Sequence, residues 1–288
     1  MTPIKNQEQC GSCWAFSTTG SVEGVSFIST GKLPSVSEQQ LVDCSGAEGN
    51  QGCNGGLMDY GFESIIKNKG ITGETDYPYT AKDGTCAAAG KPVAATISGY
   101  KDVPVNSEVG LETAIVTQPV SVAVEADQSV FQYYTGGVMD SACGTQLDHG
   151  VLAVGYGTEG GKEYYKVKNS WGADWGAKGY ILLARGAKFN PSGQCGIQMV
   201  RARRAMHARA RARAQKAPRP RQRLARPLRV PSLPTANRAR SPSALFPCAG
   251  RLVPHQGVSA TPPPPPRPRR RARGRLRARR LVATRASE

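Results

Sequence analysis

A sharp change in composition near residue 200 divides this chain into a part that can bury a core and a part that cannot. Residues 1–200 mix apolar, polar and glycine positions. They carry 13 basic against 20 acidic residues, a net charge of −7. Residues 201–288 carry 25 basic residues and one acid, Glu288, a net charge of +24. Their Arg-Ala and Arg-Pro runs, with TPPPPPRPRRRARGRLRARR near the end, bury little apolar surface and repel themselves. That composition predicts a disordered, dispensable tail from about residue 201. The total charge of +17 therefore belongs to the tail and does not mark a specific nucleic-acid binder. The tail lacks interleaved aromatics, so any binding to anionic polymers would be unspecific and salt-sensitive. No apolar run is long enough to span a bilayer, and MTPIKNQEQC at the start contains no apolar signal-peptide core.

Seven of the eight cysteines lie in the first 200 residues, at positions 10, 13, 44, 53, 86, 143 and 195; the eighth is Cys248. Three bridges and one free thiol would account for the seven, and three bridges imply an oxidising compartment.

Periodicity predicts two unlike halves. Ser12 could cap a helix over CWAFSTTGSVEGVSFIST, with positions 14, 18, 22, 25 and 28 on one face and Gly31 as its stop. Ser37 with Gln40 three residues on suggests a capping box before QQLVDC. GLMDYGFESIIKNKG reads as a third helix ended by Gly70. Further on, VSVAVEA alternates at period two, and VLAVGYG is a short apolar run. EYYKVKNSWG places Tyr165, Val167 and Asn169 on one face, and GYILLAR is another strand. Helices followed by strands predict an α+β body of two subdomains with a cleft between them.

Within QEQCGSCWAF, Cys10 and Cys13 form a C-x-x-C pair. A redox pair would need a preceding strand in a βαβ setting, and none is evident. A zinc site would need a second close Cys or His pair, but Cys44 and Cys53 are nine apart and the three histidines are isolated. The third reading makes Cys13 a nucleophile at a helix N-terminus, where the dipole and unpaired N–H groups favour a thiolate. It requires a distant histidine and an orienting polar group. His149 in QLDHGVLAVGYG and Asn169 in KVKNSWGADWG meet that requirement.

These segments carry a family resemblance. CGSCWAF, CNGGLMDYGF, LDHGVLAVGYG and KNSWGADWG, in that order, resemble a papain-family cysteine protease of the cathepsin L-like kind, over nearly all of residues 1–200. The resemblance implies a papain-like fold: a helical subdomain over 1–104 carries the nucleophile. An antiparallel, β-barrel-like subdomain over 105–200 carries the histidine and asparagine. It implies an endopeptidase using no cofactor and no metal. Cys13 would attack as a thiolate, His149 would act as acid and base, and Asn169 would orient the imidazole. Gln7 and the Cys13 backbone N–H would form the oxyanion hole, and Trp171 would shield the Asn169–His149 bond. Bridges would join Cys10–Cys53, Cys44–Cys86 and Cys143–Cys195, leaving Cys13 free.

By the same resemblance, Gly55 and Gly56 would present bare backbone to an extended substrate, and the Asp148 backbone would contact it near the scissile bond. Leu57, Met58, Ala123, Leu147 and Gly150 would line a pocket for a bulky hydrophobic P2 residue; Trp175 would form a surface on the leaving-group side. The alternative reading makes Leu57, Met58 and Leu147 core residues. The implied partners are peptide or protein substrates, an inhibitory propeptide and cystatin-type inhibitors. A monomer in a lysosome, vacuole or extracellular space is implied. Two features depart from the family pattern. Glu8 stands where a glycine is usual; a side chain there would crowd the backbone or place a negative charge near the oxyanion hole, either of which would oppose catalysis. After CGIQM the family's last strand is expected to be lost, at Val200 and beyond. An inactive homologue and an unspecific anion-binding chain are the alternative functions.

Overall fold

The computed structural model describes residues 1–199 and 203–207. Five α-helices occur among them: α1 (Cys13–Thr30), α2 (Glu38–Cys44), α3 (Met58–Lys67), α4 (Glu108–Thr117) and α5 (Ser129–Gln132). The strands are β1 (Ile71–Thr72), β2 (Val93–Ala95), β3 (Ile97–Asp102), β4 (Val120–Val124), β5 (Val138–Met139), β6 (His149–Glu159), β7 (Lys162–Lys168), β8 (Tyr180–Ala184) and β9 (Arg203–His207).

Helix α1 is the axis of the molecule, buried from Cys13 to Ser26 except at Phe16. Small residues make this possible. A Cβ on Gly20 would lie 2.7 Å from Leu152, and one on Gly24 would lie 2.6 Å from Pro119. Glycine at these points lets the helix backbone approach its neighbours closely. The expected apolar face holds at Trp14, Thr18, Val22 and Val25, but Ile28 is 58% exposed because the helix has by then emerged from the core. Gly31 ends the helix at φ 73°, its N–H donating to the Phe27 carbonyl.

Ser12 sits at the start of α1 without capping it; its hydroxyl pairs instead with Tyr79 Oη at 2.6 Å. Ser37 does cap α2, accepting from the Gln40 N–H at 3.0 Å. The other half of the capping box is absent. The Gln40 side-chain oxygen accepts from Thr72 N–H at 2.7 Å, tying α2 to β1.

Seven strands form one sheet in the order β3-β9-β4-β6-β7-β8-β5. All neighbours are antiparallel except β5 and β8, which run parallel. The sheet's end strands, β3 and β5, are not neighbours, so it stays open and the expected barrel does not close. The α+β class holds.

Two apolar clusters fill the body. One gathers Trp14, Val22, Leu41, Met58, Phe62 and Ile71 around α1 and α3. The other gathers Val120, Val122, Phe131, Tyr165, Val167 and Ile181 across the sheet. Strand β4 belongs to both. Val120, Val122 and Val124 face the second cluster and Ala123 faces the first, so its period-two pattern sorts residues between two cores and none faces water. Strand β3 also joins the large sheet.

The main correction lies beyond residue 200. Strand β9 inserts between β3 and β4, pairing with β3 from Asp102↔Arg203 to Ile97↔His207 and with β4 at Ser121↔Arg203. Ala205 is fully buried. Its carbonyl accepts from Gln118 Nε2 at 2.8 Å, and its N–H donates to Ser21 Oγ at 3.4 Å. A ladder needs backbone groups and one small inward residue, not a family side-chain pattern. An Arg-rich segment can therefore supply the strand that its composition argues against. The expectation for residues 208–288 lies outside the described residues.

Candidate active site

Cys13 is the first residue of α1, at the positive end of an 18-residue helix. His149 opens β6, and Asn169 follows directly after β7. Helix α1 packs against β6: Ser17 Oγ donates to the Val151 carbonyl at 2.7 Å. Strands β6 and β7 pair in antiparallel register, Leu152 opposite Lys168. Those two contacts bring residues 136 and 156 positions after Cys13 to the helix start. Gly150 N–H lies 3.1 Å from Cys13 Sγ. His149 Nε2 lies 2.7 Å from Asn169 Oδ1. His149 Nδ1 has no partner among the described residues.

The bridges Cys10–Cys53, Cys44–Cys86 and Cys143–Cys195 are present, the pairs that the resemblance implies. Cys13 is in none of these three, yet it is not the expected free thiol. It is disulfide-bonded, and no described cysteine is free. The thiolate–imidazolium pair is accordingly not formed in this oxidised state. Burial pulls the His149 imidazole down to about 4, opposed by its bond to Asn169. A reduced Cys13 thiolate beside the ring would raise it.

Gln7 is fully buried. Its Oε1 accepts from Ser170 Oγ at 2.6 Å and its Nε2 donates to the Cys10 carbonyl at 3.1 Å, leaving the second amide hydrogen for another acceptor. Ser170 was not singled out from sequence, although it sits beside Asn169. Next to Gln7, Glu8 adopts φ 53°. This explains the family's glycine there: the left-handed conformation costs other residues about 1–2 kcal/mol.

Trp171 stacks on His149 with ring centres 4.7 Å apart and planes 28° apart. Trp175 meets Trp171 edge-on at 5.1 Å and stacks on Phe131 at 5.5 Å. Phe131 and Tyr134, which complete this aromatic group, carried no sequence signal because α5 is a single short turn.

Gly55 has φ 112°, and a Cβ on Gly56 would lie 2.3 Å from Asn50 Oδ1, so both glycines have a structural reason independent of substrate. Met58, Ala123 and Leu147 meet in the first apolar cluster, whereas Leu57, also buried, lies outside it. Gly150 is tightly packed: a Cβ there would lie 3.2 Å from Met58 Sδ and Trp14 Cα. The Asp148 carboxyl is pushed up to about 6 by burial and by Asp127 and Glu125, against a 2.7 Å bond from the Ala126 N–H.

Behind Asn169, Lys5 and Lys168 tie the N-terminal segment, α1, α2 and β7 together. Lys5 Nζ lies 2.8 Å from Glu38 Oε1 and 3.3 Å from Glu23 Oε1. Lys168 Nζ donates to Thr2 Oγ1 at 2.9 Å, and Thr2 Oγ1 donates to Glu23 Oε2 at 2.5 Å. Burial pushes the Glu38 carboxyl up from 4.5 to about 8, against the pull of Lys5.

This has a consequence for stability. Between pH 4.5 and 8 the folded chain holds a proton on Glu38 that the unfolded chain releases, so stability falls as pH rises. His149 works in the opposite direction between 4 and 6.5, because there the unfolded chain holds the proton. The two offset below pH 6.5 and leave a net decline from 6.5 to 8. Without reductant, the melting temperature is expected to fall across that range, and Glu38→Gln is expected to flatten the fall. A flat wild-type profile would contradict the assignment.

Among the described residues no group of His, Cys, Asp or Glu is arranged to hold a metal ion, and no helix is long and apolar enough to cross a membrane.

The family described as Papain family cysteine protease matches residues 1–204. The probable cysteine protease RD21B of Arabidopsis thaliana is 59% identical over 197 residues, 68% of this chain and 42% of that protein. The cysteine endopeptidase RepA of Oryza sativa subsp. japonica is 56% identical over 201 residues, 69% of this chain and 53% of that protein. The chain thus spans about half the length of the curated relatives it matches. Among solved structures, the bromelain protease of Ananas comosus in complex with the E64 inhibitor aligns with a TM-score of 0.69 and 45% identity. That alignment covers 72% of this chain and 94% of bromelain. The ragweed pollen cysteine protease Amb a 11, in its proform, aligns with a TM-score of 0.68 and 44% identity, covering 72% of this chain and 62% of that one.

Proposed function

The chain belongs to the papain family of cysteine proteases, and on that premise we propose that it is a cysteine-type endopeptidase acting through Cys13, His149 and Asn169. The observation that carries the reading is the convergence at the start of α1. Cys13 Sγ lies 3.1 Å from the Gly150 N–H, and the neighbouring His149 is held by Asn169 at 2.7 Å with its other ring nitrogen uncommitted.

The chemistry follows from these atoms. After reduction, the Cys13 thiolate attacks the scissile carbonyl and forms a tetrahedral oxyanion. The Cys13 N–H and the spare Gln7 amide hydrogen stabilise that oxyanion, each by about 3–4 kcal/mol. His149, as imidazolium, protonates the leaving amine, and a thioester remains on Cys13. His149 then takes a proton from water, which hydrolyses the thioester and restores the pair. Asn169 fixes the ring through Nε2, and the stacked Trp171 keeps water from that bond.

On the acyl side, the Gly55–Gly56 backbone and the Asp148 backbone hold an extended peptide. The surface around Leu57, Met58, Ala123, Leu147 and Gly150 favours a bulky apolar P2 residue. Peptide and protein substrates, an inhibitory propeptide and cystatin-type inhibitors are the partners of this reading, for a monomer in a lysosome, vacuole or extracellular space. The three bridges suit such compartments.

The test is active-site titration of the full chain with an epoxide thiol inhibitor, before and after reduction. Stoichiometric labelling of Cys13 is expected only after reduction, together with faster cleavage of substrates with Leu or Phe than Gly at P2. Reduced protein that neither labels nor cleaves would be an inactive homologue, and the proposal would fall.

A further inference from the structure

We propose that Glu8 selects substrates with a basic residue on the leaving-group side of the scissile bond. This rests on the endopeptidase reading above.

Glu8 is exposed, and among the described residues its carboxylate has no partner. Its backbone is held firmly. φ is 53°, and the Glu8 N–H donates to Asn6 Oδ1 at 2.9 Å. The turn that carries it is stitched to the segment after Asn169. Gln7 N–H donates to the Ser170 carbonyl at 2.8 Å, Asn6 bridges Trp171, and Gly172 N–H donates to the Lys5 carbonyl at 3.1 Å. Trp171 in turn stacks on His149. The group that protonates the leaving amine thus shares an edge of the site with the turn bearing Glu8. The peptide beyond the scissile bond leaves across that edge, whereas the acyl part lies toward Gly55–Gly56.

Neighbouring charges reinforce Glu8. Lys5, three residues earlier in sequence, turns its ammonium inward to Glu23 and Glu38. Asp127 is exposed just before α5, whose Phe131 stacks on Trp175. Asp148 adjoins His149. Asp174 and Lys178, both exposed near Trp175, cancel in net charge. A lysine or arginine entering this edge meets net negative potential, and an acidic residue is repelled.

The experiment uses the reduced full chain and internally quenched peptides identical on the acyl side, with Lys, Ala or Glu at the first two leaving-side positions. Wild type, Glu8→Gln and Glu8→Gly are compared, with a peptidyl-coumarin substrate that has no leaving-side residues as control. Glutamine removes the charge and keeps the side chain's size; glycine removes the whole side chain and accepts the φ of 53° without strain. The wild type is expected to prefer Lys over Glu by about two- to five-fold in kcat/KM at low salt. Added salt should shrink the preference, and both variants should lower the ratio clearly below that of the wild type. Because the readout is a ratio within one protein, partial loss of folded enzyme does not affect it. Coumarin cleavage with a Lys-to-Glu ratio unchanged in Glu8→Gln would overturn this proposal alone. No coumarin cleavage by wild type would overturn it together with the endopeptidase reading.

Discussion

Cys13→Ala is expected to abolish peptide hydrolysis, a loss of at least about 10⁴-fold in kcat, and His149→Ala to lose nearly as much. In the proposed mechanism the two act as a unit. Without the sulfur no thioester forms, and without the imidazole the thiolate loses its counter-charge and the leaving amine its proton. The double variant should therefore be little worse than either single one. Asn169→Ala should cost less, because Ser17 and Ser121 still hold α1 against β6 and β4 through bonds of 2.7 and 2.9 Å. Its signature should be an altered pH profile, since Asn169 is the one neighbour that raises the His149 pKa. Circular dichroism would verify that the variants fold. Turnover retained by purified Cys13→Ala protein would sink the mechanism.

Ala205→Asp is expected to destabilise the body by about 3 kcal/mol or more. Ala205 is fully buried, packed in the cluster that holds Trp14 and Met58, and its strand lies between β3 and β4. A carboxylate there has no cation within reach among the described contacts, so it must either stay charged in an apolar site or take up a proton. For a body of about 200 residues such a loss lowers the melting temperature by roughly 6–12 °C. Activity should fall with it, because β4 carries Ala123 opposite Gly150 and Val124 opposite His149. Met206→Asp is the control: Met206 is 43% exposed, so its melting temperature should barely move. Equal effects at both positions would mean that β9 is not a sheet strand in solution.

Local order was legible in the chain itself. Gly31 marks a helix end because glycine takes the left-handed exit at little cost, and Ser37 marks a start because its hydroxyl meets the Gln40 N–H. Cys13, His149 and Asn169 stood out through the residues beside them. These are short-range properties, and a one-dimensional reading can reach them.

Other features depend on what happens to lie opposite, and no local pattern encodes that. Ser12 looks like a cap, but Tyr79 arrives from 67 residues away and takes its hydroxyl. Phe131 joins the aromatic group over His149 only because Trp171 and Trp175 fold onto it. Glu8 reads as a charge in place of a glycine until the fold shows its φ of 53° and the ties of its turn to the Trp171 segment. Composition spoke against any strand after Cys195, yet residues 203–207 form one. Backbone pairing with β3 and β4 and the burial of Ala205 between them, neither written in the segment's composition, place it as a strand.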